Sequence, residues 1–238
     1  MNKKRIVIAI DGPAGAGKST LAKRVAEKLG FVYVNSGALY RAVALWALRL
    51  GVDLSDTYRV AQLAKEAQIE LRPTSGRVFL NGEDVSEAIR EPGVSEAASK
   101  ISGIPAVRRA LLNAQRMAAP EHNIVMEGRD IGSVVFPEAQ VKIFLDAEPE
   151  VRARRRAREW ESAGRPADAS ALSSEIEKRD LRDRTRAESP LVQAPDAELV
   201  DTTHLSLDEA EERILRIVRS RVSNGQASRA EEHHTSSA

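Results

Sequence analysis

The sequence predicts an α/β protein in which helices flank a parallel sheet of five strands. Short apolar runs with the length and composition of buried strands recur along the chain, at 5–10, 31–34, 123–127, 141–146 and 197–201. Helical patterns follow most of these runs, and alternating strands and helices favour parallel pairing with both faces of the sheet covered. A glycine-rich loop after the first strand then specifies a P-loop NTPase-type parallel five-stranded sheet.

The glycine-rich loop is GPAGAGKS at 12–19, which matches G-x-x-x-x-G-K-[ST] at every defined position. Its glycines let the backbone curl so that successive N–H groups point inward, and the following helix N-terminus adds partial positive charge. Lys18 is expected to reach the β- and γ-phosphates of a nucleotide, and the Ser19 hydroxyl to bind Mg²⁺. The residues expected to bind ATP are Gly12, Pro13, Ala14, Gly15, Ala16, Gly17, Lys18, Ser19 and Thr20.

The first helical pattern covers 18–29 and ends at Gly30, and a strongly apolar helix follows the second strand at 37–50. The stretch 68–90 then interrupts the rhythm of strands and helices. It holds two short strand-like runs around a proline- and glycine-containing turn, followed by an Asn–Gly turn. This hairpin signal predicts a small antiparallel insertion.

Helical patterns return after the insertion at 91–102 and 105–119, the second with a proline in its first turn. Residues 205–222 form an amphipathic pattern that closes the domain as a helix. The remaining stretch, 223–238, is polar and aperiodic, which predicts a disordered tail.

Composition narrows the classes of function. The 36 basic and 35 acidic residues give a net charge of +1, which counts against a protein that lives on nucleic acid. The absence of cysteine excludes disulfides and thiolate chemistry. The N-terminal apolar run is too short for a signal sequence, and nothing approaches the roughly 18 apolar residues of a membrane span. We expect a cytoplasmic protein with no membrane partner.

Charged and polar side chains follow the second and third strands. Ligands of open α/β sheets bind beyond the carboxyl ends of the strands, so Ser36 and Arg41 are expected to face the same crevice as the phosphate loop. Arg41 lies in an apolar helix, where it either extends to solvent or binds a ligand. Arg129 and Asp130 form either a loop salt bridge or a pair in which Arg129 holds a phosphate or carbonyl and Asp130 accepts a hydrogen bond. An aspartate is a suitable acceptor for the exocyclic amine of cytosine.

The phosphate loop alone does not name the reaction, because GTPases, motors, helicases and small-molecule kinases share it. The sequence has no N-K-x-D guanine motif, and the chain is short for a helicase or motor. Its size and hairpin insertion favour a small kinase that phosphorylates a metabolite.

Several segments together resemble the bacterial cytidylate kinase family, from about residue 5 to 219. They are GPAGAGKST, NSGALYRA, NGEDVSEAIR, PAVRRALL, EGRDIGSVVFPEAQVKIFLDA and KRDLRDRTRAESPL. The resemblance implies transfer of the ATP γ-phosphoryl group to CMP or dCMP with Mg²⁺ as cofactor. The GRD segment with its VVFPEA continuation and the RDxRDRxR stretch are the specific parts of the match.

The resemblance also assigns roles to individual residues. Ser99, Arg108 and Asp130 would read the cytosine edge, while Arg179 and Arg186 would hold the transferring phosphate. Lys18, Arg129, Arg179 and Arg186 form the catalytic set that the resemblance implies. The implied CMP-binding set is Ser36, Tyr40, Arg41, Ser99, Arg108, Arg129, Asp130, Arg179, Asp183 and Arg186, with Arg129 on the acceptor phosphate and Asp183 on the sugar.

The stretch VRARRRAREW at 151–160 holds five arginines and has three interpretations: a nucleic-acid patch, a solvated helix face, or a lid over the phosphates. Its arginines do not form one continuous stripe on a helical wheel, which counts against a nucleic-acid patch. The resemblance to a nucleotide kinase implies that the lid lies here, between the fourth strand and the next helix. Arg152 and Arg156 are the candidate lid arginines.

The resulting domain plan is a single kinase domain over 1–222. Its core covers 1–60 and 100–222, with an acceptor-binding insertion at about 61–99 and a lid at about 150–172. We expect a monomer that binds small-molecule substrates and no nucleic acid. The alternatives are a kinase of another small metabolite and a nucleotide-dependent nucleic-acid-binding protein.

Overall fold

The computed structural model describes residues 5–119, 121–162, 164 and 166–235, with side chains described as far as Ser223. In chain order the strands are β1 (Val7–Asp11), β2 (Val32–Asn35), β3 (Ile69–Arg72), β4 (Arg77–Leu80), β5 (Glu83–Asp84), β6 (Ile124–Gly128), β7 (Val141–Asp146) and β8 (Glu198–Asp201). The helices are α1 (Lys18–Leu29), α2 (Gly37–Arg49), α3 (Thr57–Glu66), α4 (Pro92–Ile101), α5 (Pro105–Arg116), α6 (Pro149–Ser162), α7 (Ala169–Thr185) and α8 (Leu207–Thr235).

The central sheet is parallel and has the strand order β2–β6–β1–β7–β8. The predicted fold class is therefore confirmed. Asp11 at the end of β1 is paired with Gly128 at the end of β6, and Asn35 at the end of β2 is paired with Glu127. The loops that leave these three strands consequently start at one level of the same sheet edge.

Helices cover both faces of the sheet. Ile8, Ile10 and Val25 pack with Ile214 and neighbouring residues of α8 on one face. A further cluster lies away from the sheet, where α2, α3, α4, α5 and the hairpin bury aliphatic side chains against one another. This second helical unit borders the cleft at the carboxyl edge of the sheet.

The insertion is antiparallel as predicted, but it has three strands, in the order β3–β4–β5. Asn81 and Gly82 both adopt positive φ, 50° and 86°, in the tight turn between β4 and β5. The sequence reading also overlooked α3, although Asp56 caps it by accepting a hydrogen bond from the Arg59 N–H at 2.9 Å.

Where the sequence predicts a disordered tail over 223–238, the backbone continues α8 as far as Thr235, and 236–238 lie outside the described residues. Alanine, glutamine, glutamate and arginine are good helix formers, and extending an existing helix avoids the cost of nucleation. Across the described part of the chain, none of the helices is long and apolar enough to cross a membrane.

Candidate active site

The phosphate loop connects β1 to α1 and depends on close backbone approach. Gly12 has φ +149°, and a Cβ there would lie 2.0 Å from the carbonyl oxygen of Leu145 on β7. Gly17 is left-handed and stands directly before α1. Any other residue at Gly12 would force β7 away, so the glycine is required for the loop to enter between these elements.

Lys18 folds back across the loop and donates from Nζ to the Pro13 carbonyl at 2.6 Å. Burial lowers the pKa of Lys18 to about 7, and the positive charges of Arg129 and Arg179 act in the same direction. Glu127 opposes the shift only in part. Burial among these charges thus holds the pKa of Lys18 well below that of an exposed lysine.

The acceptor side of the cleft starts at the carboxyl end of β6. Asp130 forms a buried ion pair with Arg108 of α5, and Arg186 approaches the other Asp130 oxygen at 3.8 Å. Arg129 donates from Nε to Asp183 Oδ2 at 2.8 Å. Arginines and carboxylates thus alternate across the gap between the sheet, α5 and α7.

Several buried donors in this wall have no hydrogen-bond partner among the residues that the structure describes. They are Arg41 Nε, Ser99 Oγ, Arg108 Nε, Arg179 Nε and one terminal nitrogen of Arg186. Buried polar groups are ordinarily satisfied, and leaving them unpaired is costly. The cluster therefore favours a ligand rich in acceptor atoms.

Electrostatics at the cleft reflect this excess of cations. Burial lowers the pKa of Arg179 to about 10, with a further contribution from Arg129. Burial alone would raise the pKa of Asp183, but Arg129 and Arg179 outweigh it and hold that pKa below its usual value. A bound polyanion would relieve the repulsion among the arginines.

Most of the predicted site residues line one continuous cleft. They are Ala14, Gly15, Gly17, Lys18, Ser19, Thr20, Ser36, Tyr40, Arg41, Ser99, Arg108, Arg129, Asp130, Arg156, Arg179, Asp183 and Arg186. Ser36 donates to the Glu127 carbonyl at 2.7 Å and so joins the start of α2 to β6. Gly12 and Pro13 shape the loop from outside the cleft, and Ala16 faces a second groove on the other side of the loop.

Arg152 does not reach the cleft, contrary to its prediction as a lid arginine. Its guanidinium is buried and donates hydrogen bonds to the Ala147 carbonyl, the Ala14 carbonyl and the Asp180 carboxylate. Helix α7 packs over the face of α6 that carries Arg152, which a helical wheel of α6 alone does not show. Arg156, one turn further along, lines the cleft and pairs with Glu159 at 3.0 Å.

Sequence reasoning missed Glu127, a buried cleft carboxylate that accepts a hydrogen bond from the Tyr33 hydroxyl. Burial and the Glu127 charge raise the pKa of Tyr33, so the phenol stays protonated as the donor. The sequence did contain a signal for this site residue, because Glu127 immediately precedes the glycine at the carboxyl end of a strand. Asn35, Ser95, Ser102 and Glu175 also line the cleft.

Asp11 is a second missed residue, and it lies behind the cleft. Its two carboxylate oxygens accept from the N–H groups of Ile131 and Gly132, each at 2.8 Å. These residues begin a single π-helical turn, Ile131–Val135, directly after Asp130. Asp11 thereby ties the end of the phosphate-loop strand to the segment that presents Arg129 and Asp130.

The parallel sheet, the phosphate loop and the cation-lined cleft define a phosphotransferase of the P-loop kinase class. The family model described as cytidylate kinase matches residues 8–220. The chain belongs to the cytidylate kinase family.

Named relatives agree with this assignment. The cytidylate kinase of Solibacter usitatus (strain Ellin6076) is 60% identical over 225 residues, 94% of this chain and 96% of that protein. The cytidylate kinase of Pelotomaculum thermopropionicum is 49% identical over 221 residues, 92% of this chain and 96% of that one. A solved structure of an uncharacterized protein from Eubacterium ventriosum ATCC 27560 has a TM-score of 0.51 at 13% identity, covering 91% of this chain and 99% of that chain, and shows the fold alone.

Proposed function

We propose that this protein transfers the γ-phosphoryl group of ATP to CMP and dCMP, giving CDP and dCDP. The observation that carries the proposal is the arrangement of Ser99, Arg108 and Asp130. A buried hydroxyl with no hydrogen-bond partner among the described residues shares with a buried ion pair a cleft that is continuous with the phosphate loop. This set offers both donors and an acceptor to the edge of a base.

Each group suits one part of a cytidine nucleotide. Asp130 can accept from the exocyclic amine of cytosine, while Ser99 and Arg108 can donate to the ring nitrogen and carbonyl. Ser36, Tyr40 and Arg41 line the same cleft, where they would contact the acceptor phosphate or sugar. Asp183, held by Arg129, would accept from a sugar hydroxyl.

The chemistry is governed by positioning and charge. The attacking phosphate oxygen of CMP is already anionic near neutral pH, so no general base is required. Lys18, Arg129, Arg179 and Arg186 would stabilise the charge on the transferring group as its bond to the ADP oxygen breaks and its bond to the CMP oxygen forms. Arginine suits this task because its planar fork binds phosphate oxygens in pairs.

Mg²⁺ fits the residues present. The described residues contain no group of three or more acidic or histidine side chains that would hold a metal by themselves. Magnesium in phosphoryl-transfer sites is held mainly by phosphate oxygens and waters, with one or two protein ligands. The Ser19 hydroxyl would be one ligand, and Glu127 stands in the same cleft to bind a water. When bound, the ion would neutralise charge on the phosphates.

A second groove is the proposed binding site of the donor nucleotide. A groove beyond the phosphate loop is lined by Thr20, Leu21, Arg155, Thr202 and Leu207, among others. Arg155 donates to both the hydroxyl and the carbonyl of Thr202, which fixes one wall of the groove. Its position on the far side of the loop from Asp130 suits the adenosine of ATP.

We also propose that the protein works as a monomer with no nucleic-acid partner. Within the arginine-rich segment, Arg152 is buried, Arg155 is held by Thr202 and Arg156 pairs with Glu159. Arg154 and Arg158 line the groove beyond the phosphate loop, so the arginines of this segment are divided among the interior, the cleft and that groove, which counts against one nucleic-acid-binding face.

An acceptor screen tests the proposed function. Purified protein with ATP and Mg²⁺ is expected to phosphorylate CMP and dCMP far faster than AMP, GMP or a panel of sugars and shikimate-like alcohols. The measurement is product formation by chromatography. A preference for an acceptor without a cytosine base would contradict the proposal and favour a kinase of another metabolite.

A further inference from the structure

Two buried side chains of the lid helices hold the backbone of the phosphate loop. Arg152 of α6 donates from a terminal nitrogen to the Ala14 carbonyl at 3.0 Å, and Asp180 of α7 accepts from the Ala14 N–H at 3.1 Å. The two side chains also pair with each other, and Arg152 donates from Nε to the Ala147 carbonyl at 2.9 Å. The backbone N–H and carbonyl of Ala14 are thus each hydrogen-bonded to a side chain, one from α7 and one from α6.

The contact is close as well as polar. A Cβ at Gly15 would lie 3.0 Å from both the Cβ and the carbonyl oxygen of Arg152. The first turn of α6 therefore rests directly on the loop. Arg152 is 4% exposed and Asp180 is 7% exposed, so water does not compete for these bonds.

Stability alone does not account for such a pair. Burying two charges costs free energy that their attraction often fails to return, and well-packed apolar residues commonly serve as well. Apolar residues could not bond to the N–H and carbonyl of Ala14. The distinctive property of this pair is geometric, because it fixes α6 and α7 relative to the loop that receives the phosphates.

The neighbours of the pair are cleft residues. Arg179 directly precedes Asp180 on α7, and Arg156 lies one turn beyond Arg152 on α6. Neither cleft arginine has a bond to the phosphate loop of its own among the described residues. Arg152 and Asp180 therefore supply buried side-chain bonds that join the helices of both arginines to the loop that carries Lys18.

We propose that Arg152 and Asp180 are positioning residues, which place Arg179 and Arg156 over the phosphate that Lys18 binds. They touch no substrate themselves. This role rests on the proposed phosphoryl transfer. It gives Arg152 a function different from the direct phosphate contact expected of a lid arginine.

The test replaces Asp180 by asparagine, which keeps the shape and the acceptor for Ala14 but removes the charge that Arg152 pairs with. We expect kcat to fall about tenfold to a hundredfold, the loss typical of a misplaced catalytic group. Because Asp183 is held separately by Arg129, the Kd for CMP measured by calorimetry should change by less than about threefold. Arg152→Lys keeps the charge but loses the planar guanidinium, so it should show the same fall in kcat with little change in the Kd for CMP. It is the test variant if Asp180→Asn does not fold.

A matched control comes from Glu211 of α8. It is fully buried and paired with Arg24 and Lys28, yet it lies away from the cleft. Glu211→Gln should lower the melting temperature while leaving kcat within about twofold of wild type. A loss of kcat in Asp180→Asn no larger than in this control would overturn the proposal.

A double-mutant cycle with Arg179→Ala separates positioning from general damage. If Asp180 acts through Arg179, Asp180→Asn should lower kcat by less than about threefold once Arg179 is absent. An equal loss in both backgrounds would overturn the proposal. Wild-type turnover is measured first: failure to phosphorylate CMP refutes the proposed function, whereas normal turnover with an unaffected Asp180→Asn variant refutes only the positioning role.

Discussion

At the scale of single residues, the cleft is a set of buried charges that shift one another's pKa values. Lys18 and Arg179 have lowered pKa values because they are buried among other cations. Asp183 has a lowered pKa because arginines surround it. A polyanionic ligand would move all three pKa values back toward their ordinary ranges.

Lys18 gives a direct test of this coupling. At pH 8 a lysine with a pKa of about 7 is mostly neutral, and the phosphates of ATP would raise its pKa. ATP binding at pH 8 should therefore take up close to one proton, and the Kd should rise up to about tenfold per pH unit above 7.5. Calorimetry in buffers of different ionisation enthalpy measures the uptake. Lys18→Met should abolish it, and binding of ATP without proton uptake by the wild type would contradict the assignment.

Asp130 is the residue that should determine the base. Removing a well-placed acceptor for the cytosine amine costs about 1–3 kcal/mol of discrimination, or roughly 5- to 150-fold. Asp130→Ala should lower kcat/KM for CMP relative to UMP by that factor and leave the KM for ATP unchanged. Steady-state kinetics with both acceptors measures this ratio. Equal losses for CMP and UMP would show that Asp130 supports the fold of the cleft and does not read the base.

At the scale of elements, the bonds from Asp11 to the π-helical turn join the donor and acceptor halves of the site. Isolated π-turns are uncommon and frequent at functional sites. This one begins at the residue after Asp130, so its geometry aims the Asp130 side chain. The carboxylate of Asp11 satisfies the first two N–H groups of the turn.

The same carboxylate predicts a dependence of stability on pH. Burial raises the pKa of Asp11 from 3.8 to about 6, so the folded protein binds this proton more tightly than the unfolded chain does. Its contribution to stability is therefore full below pH 4 and is lost as pH rises to about 6, by roughly 3 kcal/mol. The asparagine of the Asp11→Asn variant does not titrate. Its free energy of unfolding should therefore fall further below that of wild type at pH 4 than at pH 7. Urea unfolding at both pH values tests this, and a constant difference would contradict it.

Elements were predicted from sequence more completely than the site was. The runs of Val, Ile and Leu identify all five core strands, and the loop at 12–19 identifies the phosphate site, because these depend on local patterns. The proposed base-reading residues came mainly from resemblance, since residue spacing does not show that Ser99 of α4 shares a cleft with Asp130 after β6. The buried role of Arg152 was not predictable, because its burial arises from α7, whose alternating charges look like a solvated surface.

At the scale of the whole molecule, charge is balanced overall but concentrated in one place. The chain carries a net charge of +1, while cations outnumber acids along the cleft. Three parts of the molecule supply the walls: the phosphate-loop core, the α4–α5 unit and α7. A nucleotide bound there touches all three and should stabilise the molecule as one body.

Thermal unfolding with CMP measures that effect. At a hundred times its Kd, CMP should stabilise the folded protein by about 2.7 kcal/mol and raise the melting temperature by roughly 5–10 °C. Asp130→Ala should lose most of this shift while retaining the shift produced by ATP. An unchanged melting temperature with CMP would contradict binding in this cleft.

The pairing of β1 with β6 has a consequence for how such an enzyme can diversify. The loop for one nucleotide starts after Asp11, and the segment for the other starts after Gly128, its partner in the ladder. Inserting a single residue in either strand would turn its side chains to the opposite face of the sheet and separate the two starting points. The hairpin and α4–α5 lie outside this ladder, so a change of length in the loops that join them would not shift its register. Remodelling the hairpin and α4–α5 would therefore change which acceptor binds, while the distance between the two reacting phosphates stays constant.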